Sequence, residues 1–131
     1  MRTNLIILVA LLFSMLFPIG VIAGITPIYD LYGSTTTGSP VVEGSYKLYR
    51  LDIPSSGTLT VWTESGHDTY GYLLDSDQSQ IASDDDDGPD RNFEIQHQVT
   101  AGRYHIKVEG YSGGAVPSYT VHVDFSGGYS L

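Results

Sequence analysis

From Tyr46 onward, apolar and polar residues alternate with a period of two, in runs short enough to be single strands and separated by turn-forming clusters. Such a period sends successive side chains to opposite faces of an extended chain, so each run has one side fit for a core and one for water. In YKLYRLDI, Tyr49, Leu51 and Ile53 share one face while Arg50 and Asp52 share the other. Pro54-Ser55-Ser56-Gly57 turns the chain, and GTLTVWTES continues with Leu59 and Val61 inward. The next runs are DTYGYLLD (68–75), SQIAS (79–83), NFEIQHQV (92–99), RYHIKVEGY (103–111) and SYTVHVDF (118–125). Seven short strands, with turns about every ten residues, predict an all-β fold: a compact antiparallel β-sandwich, jelly-roll or immunoglobulin-like, of about seven or eight strands. No helical period and no internal repeat is seen after the N-terminal segment, which argues against a solenoid or propeller.

The segment before the strands has a different character. Arg2 precedes an uncharged apolar run from Leu5 to Ile25, interrupted by Pro18 and Gly20, which has the form of a secretory leader helix. Val21-Ile22-Ala23 supplies the small residues a signal peptidase needs, so residues 1–23 read as a signal peptide cleaved after Ala23. The alternative is an uncleaved membrane anchor through residues 5–25, since a run of this length also spans a bilayer. Residues 24–45 read as a tether with at most one short strand, 46–125 as the sandwich, and 126–131 as a frayed tail.

Export with no cysteine leaves the fold without disulfides or a thiolate metal site, so stability rests on packing or on a bound hard cation. Without Arg2, fifteen acids face five bases. Such a surface repels nucleic acid and anionic lipid, and no basic patch offsets it. The expected location is secreted or cell-surface, with membrane association only if the leader is retained.

Three stretches are more specific than the alternation: GSYKLYRLDIPSSGTLTVWTES, DTYGYLLDSDQSQIASDDDDG and NFEIQHQVTAGRYHIKVEGYSGGAVPSYTVHV. Together they resemble the bacterial pre-peptidase C-terminal domain, a sandwich related to clostridial collagen-binding domains, over about residues 40–125. The resemblance implies a non-catalytic accessory module of secreted proteases or surface proteins. Some relatives bind calcium, and a few bind collagen or polysaccharide.

The run SDDDDGPDRNF puts five carboxylates within seven positions. Two like charges about 6 Å apart repel by roughly 0.7 kcal/mol in bulk water and more near a low-dielectric surface. The run therefore stays solvated or holds a cation. Calcium takes six to eight oxygen ligands, and Asp84, Asp85, Asp86, Asp87, Asp90 and the Asn92 amide can supply several, with Gly88 allowing a sharp bend. Asp68, Asp75 and Asp77 flank the strand expected beside this loop, and Asp68 is included as a ligand. An EF-hand template laid over Ser83, Asp85, Asp87, Gly88 and Glu94 is set aside, because no helices flank it. The plain alternative is a solvated hairpin loop that keeps a sheet end soluble.

His105 and His122 are expected to face outward on neighbouring strands, but no further ligands accompany them, and both read as ordinary exposed positions. Trp62 lies on the face opposite Leu59 and Val61, either exposed or packed beneath the 24–45 segment. Trp62, Tyr70 and Tyr72 are the candidate ligand-binding residues. No nucleophile elbow or glycosidase carboxylate pair is present. The chain is thus expected to be a secreted, non-catalytic binding or adhesion module, stabilised by calcium and attaching to extracellular polysaccharide or protein. Alternatives are a structural protein that self-associates into a layer or filament, and a separately encoded protease-associated factor.

Overall fold

The computed structural model describes residues 28–30 and 35–127, so the expected leader lies outside the described residues. The chain forms strands β1 (Ile28–Asp30), β2 (Thr35–Thr37), β3 (Tyr46–Ile53), β4 (Gly57–Glu64), β5 (Thr69–Leu74), β6 (Gln80–Asp84), β7 (Glu94–Val99), β8 (Gly102–Gly110) and β9 (Thr120–Gly127). They make two sheets, ordered β1-β3-β8-β5-β6 and β2-β9-β4-β7, that pack face to face as a sandwich. Seven of the strands are those expected from Tyr46 onward.

Register follows from the alternation. In the first sheet Tyr49 pairs with Ile106 and Leu73 with Ile106, and all three side chains are buried in the core. In the second, Val61 pairs with both Ile95 and Val123, and these are likewise buried. Burying each such side chain stabilises the fold by about 1.5–3 kcal/mol relative to exposure. A polar contact lies within this core: the hydroxyls of Tyr49 and Tyr119 are 2.6 Å apart, and the Ser39 amide donates to Tyr49 at 2.9 Å. Burial pushes both phenols above their ordinary range, and for Tyr119 the neighbouring Tyr49 adds to the shift.

Two expectations about the ends of the sandwich are corrected. The 24–45 segment contributes two strands rather than at most one, and the first of them, β1, adds a parallel edge beside β3, with Ile28 opposite Leu48, to the antiparallel sandwich expected. These strands are three residues long and are recruited by pairing with neighbours, as β2 is by β9. Val41 and Val116 exchange backbone hydrogen bonds at 2.9 Å and carry that segment over the core. At the other end, β9 continues through Ser126 and Gly127, which pair with Thr58 and Gly57, instead of fraying at residue 126.

The histidines are also corrected. His105 lies in β8 and His122 in β9, which belong to different sheets, so the two imidazoles are not neighbours. His105 points away from the core yet is only 4% exposed, because the turn after β5 covers it. Its Nδ1 lies 3.0 Å from the Asp75 carbonyl, which can only accept, so that nitrogen carries the proton.

Candidate functional site

The acidic run forms the crossing from β6 in the first sheet to β7 in the second. Its shape is set by two side chains at its base. Asp84 Oδ2 accepts from the backbone amides of Asp87 (3.0 Å) and Glu94 (2.9 Å), closing the loop across its mouth. Asn92 is 1% exposed and works in both directions. Its Oδ1 lies 3.1 Å from the Thr63 hydroxyl and 3.2 Å from the Thr69 hydroxyl, while its Nδ2 donates to the carbonyls of Ser65 (2.9 Å) and Pro89 (2.8 Å). The Phe93 amide donates to the Thr69 hydroxyl at 3.1 Å.

The bend itself is not made at Gly88, which is extended at φ −88°. Asp90 and Arg91 take the left-handed conformation instead, with φ of 52° and 61°. Such conformations cost a non-glycine residue of the order of 1 kcal/mol each and are sustained by surrounding contacts. Gly88 is needed for a close approach: its amide donates to the Asn92 carbonyl at 2.9 Å, and a Cβ there would be 2.7 Å from the same oxygen.

Asp68, just before β5, faces this loop. One carboxylate oxygen from each of Asp68, Asp85 and Asp86 lies within 4.8 Å of the others. Oxygens bound to one calcium at 2.3–2.6 Å are separated by at most about 5 Å, so the three can share an ion. Asp68 Oδ1 and Asp85 Oδ1 are closed off from solvent and have no hydrogen-bond partner. A buried carboxylate oxygen without a partner is costly, and a cation between them would satisfy both. The electrostatics agree: desolvation, and then the charges of Asp86, Asp68 and Asp84, push the Asp85 carboxyl above the ordinary range. Arg91 does little to offset this, since its Nη1 is 3.8 Å from Asp68 Oδ2 and its side chain is 70% exposed.

The other expected ligands stand elsewhere. The carboxylate of Asp84 and the amide of Asn92 are engaged by protein groups, so both act as braces of the loop rather than members of the triad. Asp87 is outside the triad, and its carboxyl is pushed up by the neighbouring Asp84 charge. Asp90 is exposed and stands outside the triad. Asp75 and Asp77 sit at the far end of β5, about 20 Å away at strand rise, where Asp75 Oδ1 accepts from the amides of Asp77 and Ser79 at 2.9 Å each.

The aromatic candidates separate as well. Tyr70 and Tyr72 lie on the outer face of the first sheet with ring centroids 4.9 Å apart. Trp62 lies on the outer face of the second sheet, opposite Glu94 and His122, so a single surface carrying all three does not exist. Its ring stacks on His122, centroids 4.9 Å apart and planes 10° apart. Sequence reasoning passed over Tyr46 and Lys107, which border Tyr72: the Lys107 ammonium is 4.9 Å from the Tyr46 ring and 4.4 Å from the Tyr72 ring. The signal was present in YKLYRLDI, where Tyr46 and Leu48 are apolar positions on the face assigned to water.

Fold and site together define a β-sandwich, with nine strands among the described residues, and an acidic corner between its sheets. No known family model matches the sequence, and no curated protein matches it. Among solved structures, the chain is similar to the pre-peptidase C-terminal domain of a collagenase from Bacillus anthracis, with a TM-score of 0.62 and 17% identity over 76% of this chain and 97% of that one. It is also similar to PliG from Aeromonas hydrophila, a periplasmic inhibitor of g-type lysozyme (TM-score 0.57, 17% identity, 76% and 97% covered). A third is CorA from Methylomicrobium album BG8, a surface-associated copper-binding protein (TM-score 0.54, 8% identity, 77% and 98% covered). The resemblance read from the sequence motifs is thus matched at the level of fold.

Proposed function

We propose that this chain is an exported, non-catalytic binding module of the cell surface or extracellular space, ordered at one corner by a calcium ion held by Asp68, Asp85 and Asp86. The observation that carries the reading is the pair of buried, unpartnered oxygens, Asp68 Oδ1 and Asp85 Oδ1, converging beside Asp86. Calcium suits them because all the donors are hard oxygens and no nitrogen or sulfur ligand stands among them. Backbone carbonyls and water would complete its shell. An ion there joins the start of β5 to the crossing from β6 to β7, so it would brace the two chain crossings between the layers against each other in a protein without disulfides. A binding role is supported by the fold's recurrence in a lysozyme inhibitor and in a surface-associated copper-binding protein. The partner class is an extracellular polysaccharide or protein.

Thermal unfolding in calcium and in chelator tests the reading. Free calcium at a hundred times the dissociation constant adds about 2.7 kcal/mol of stability and raises the midpoint. An unchanged midpoint at millimolar calcium would remove the ion from the account.

A further inference from the structure

The outer face of the first sheet carries a groove of about 300 Å³ lined by Tyr46, Leu48, Tyr72, Leu74, Gln78, Gln80 and Lys107. We propose that this groove binds one ring of a neutral sugar polymer, with Tyr70 extending the platform to the next ring. The inference rests on the reading of the chain as an extracellular binding module and is independent of the calcium site.

Cross-strand register builds the groove. On this face Leu48, Lys107 and Tyr72 lie in one row across β3, β8 and β5, and Tyr46, Glu109 and Tyr70 lie in the next. Leu48 and Leu74 are 4% and 7% exposed and act as an apolar floor, whereas Tyr46 is 37% exposed. The Tyr72 hydroxyl donates to Glu109 Oε1 at 2.7 Å, which fixes the ring. Burial of the phenol, and then the Glu109 carboxylate, raise its pKa and keep Tyr72 neutral.

The chemistry selects the ligand. Among the described residues that line the groove Lys107 is the one cation, and Glu109 stands 3.4 Å from its ammonium, so an anionic ligand gains little there. Two phenol rings offer apolar faces to the C–H side of a sugar ring, and the amides of Gln78 and Gln80 can donate to or accept from its hydroxyls. A volume at the small end of ligand sites suits a single ring. A peptide is the less suitable guest. Extended peptides bind by adding main-chain hydrogen bonds at a free strand edge. Here β8 is the middle strand, paired on both sides, and offers only side chains.

The test is calorimetric titration of the full chain with cellohexaose, chitohexaose, laminarihexaose, xylohexaose and maltohexaose, and with a proline-rich collagen-like peptide. The inference expects at least one oligosaccharide to bind, Tyr46→Ala to weaken it about tenfold, and Tyr72→Phe to retain it because the ring remains. Asp90→Asn, exposed and outside both the groove and the acidic triad, should leave that affinity unchanged. No binding by any of the sugars, or binding that Tyr46→Ala does not weaken, overturns the inference. If the peptide binds in their place and Tyr46→Ala weakens it, the inference is also overturned while the module reading stands.

Discussion

The ring of Phe93 rests on the backbone of Gly71, so closely that a Cβ at that glycine would overlap the ring. Phe93 is fully buried and follows Asn92 directly, so this contact seats the end of the acidic loop on β5, whose first residue follows Asp68. The spacing of Asp68 from Asp85 and Asp86 therefore depends on a glycine in the middle of a strand.

Gly71→Ala would force the Phe93 ring to move in a packed core. Overpacking of this kind costs typically 1–3 kcal/mol. Urea denaturation should show a loss in that range, and the variant's calcium affinity should fall with it. A glycine serving only turn flexibility would instead gain stability on substitution.

Acid pH separates the loop's repulsion from the rest of the fold. The folded-state carboxyls of Asp85 and Asp87 are raised above the ordinary 3.8, so over the window from 3.8 up to the raised values the native state holds more protons than the unfolded one. The contribution of these two carboxyls to stability in chelator then falls as pH rises through that window, the reverse of Asp52, which Arg103 holds below the ordinary range. Calcium displaces those protons, so its stabilising effect should grow over the same window. Urea midpoints measured across it, with and without calcium, check both slopes.

Asn92→Ala removes the amide that joins Thr63, Thr69, Ser65 and Pro89. Each buried group left without a partner costs about 1–3 kcal/mol, so the expected loss is among the largest of any single polar substitution here. Asp90→Asn, at an exposed position, should change stability by no more than about 0.5 kcal/mol. Parallel denaturation of the two variants makes the comparison.

Among the described residues, the phenols of Tyr49, Tyr72 and Tyr119 are raised above their ordinary value, in each case chiefly by burial. The unfolded chain ionises these groups first, so stability falls as pH rises beyond the ordinary value. An ultraviolet titration should show these three ionising only as the protein unfolds. Tyr119→Phe should cost about 1 kcal/mol, the net worth of its hydroxyl contact with Tyr49.

The sequence made the strands legible because each is long enough to show a period of two, and Tyr49, Leu59 and Val61 are inward as that period requires. It did not reveal β1 and β2, whose three residues carry no period and form only through pairing with β3 and β9. Alternation assigns a side chain to the inner or outer face but not to a sheet. For that reason Trp62 and Tyr72 read as companions although they lie on opposite surfaces. The acidic run was evident from its charge, yet which acids converge depends on a crossing between layers that brings Asp68 against Asp85. Asn92 read as an oxygen donor for an ion because nothing local announces that Thr63 and Thr69 will meet it.

Isothermal titration of calcium into the chelator-stripped protein is the most direct measurement of the acidic corner. One ion per chain is predicted, with the heat abolished by Asp68→Asn or Asp85→Asn and preserved in Asp90→Asn. Absence of heat at millimolar calcium, or equal heat in all four proteins, would contradict the account.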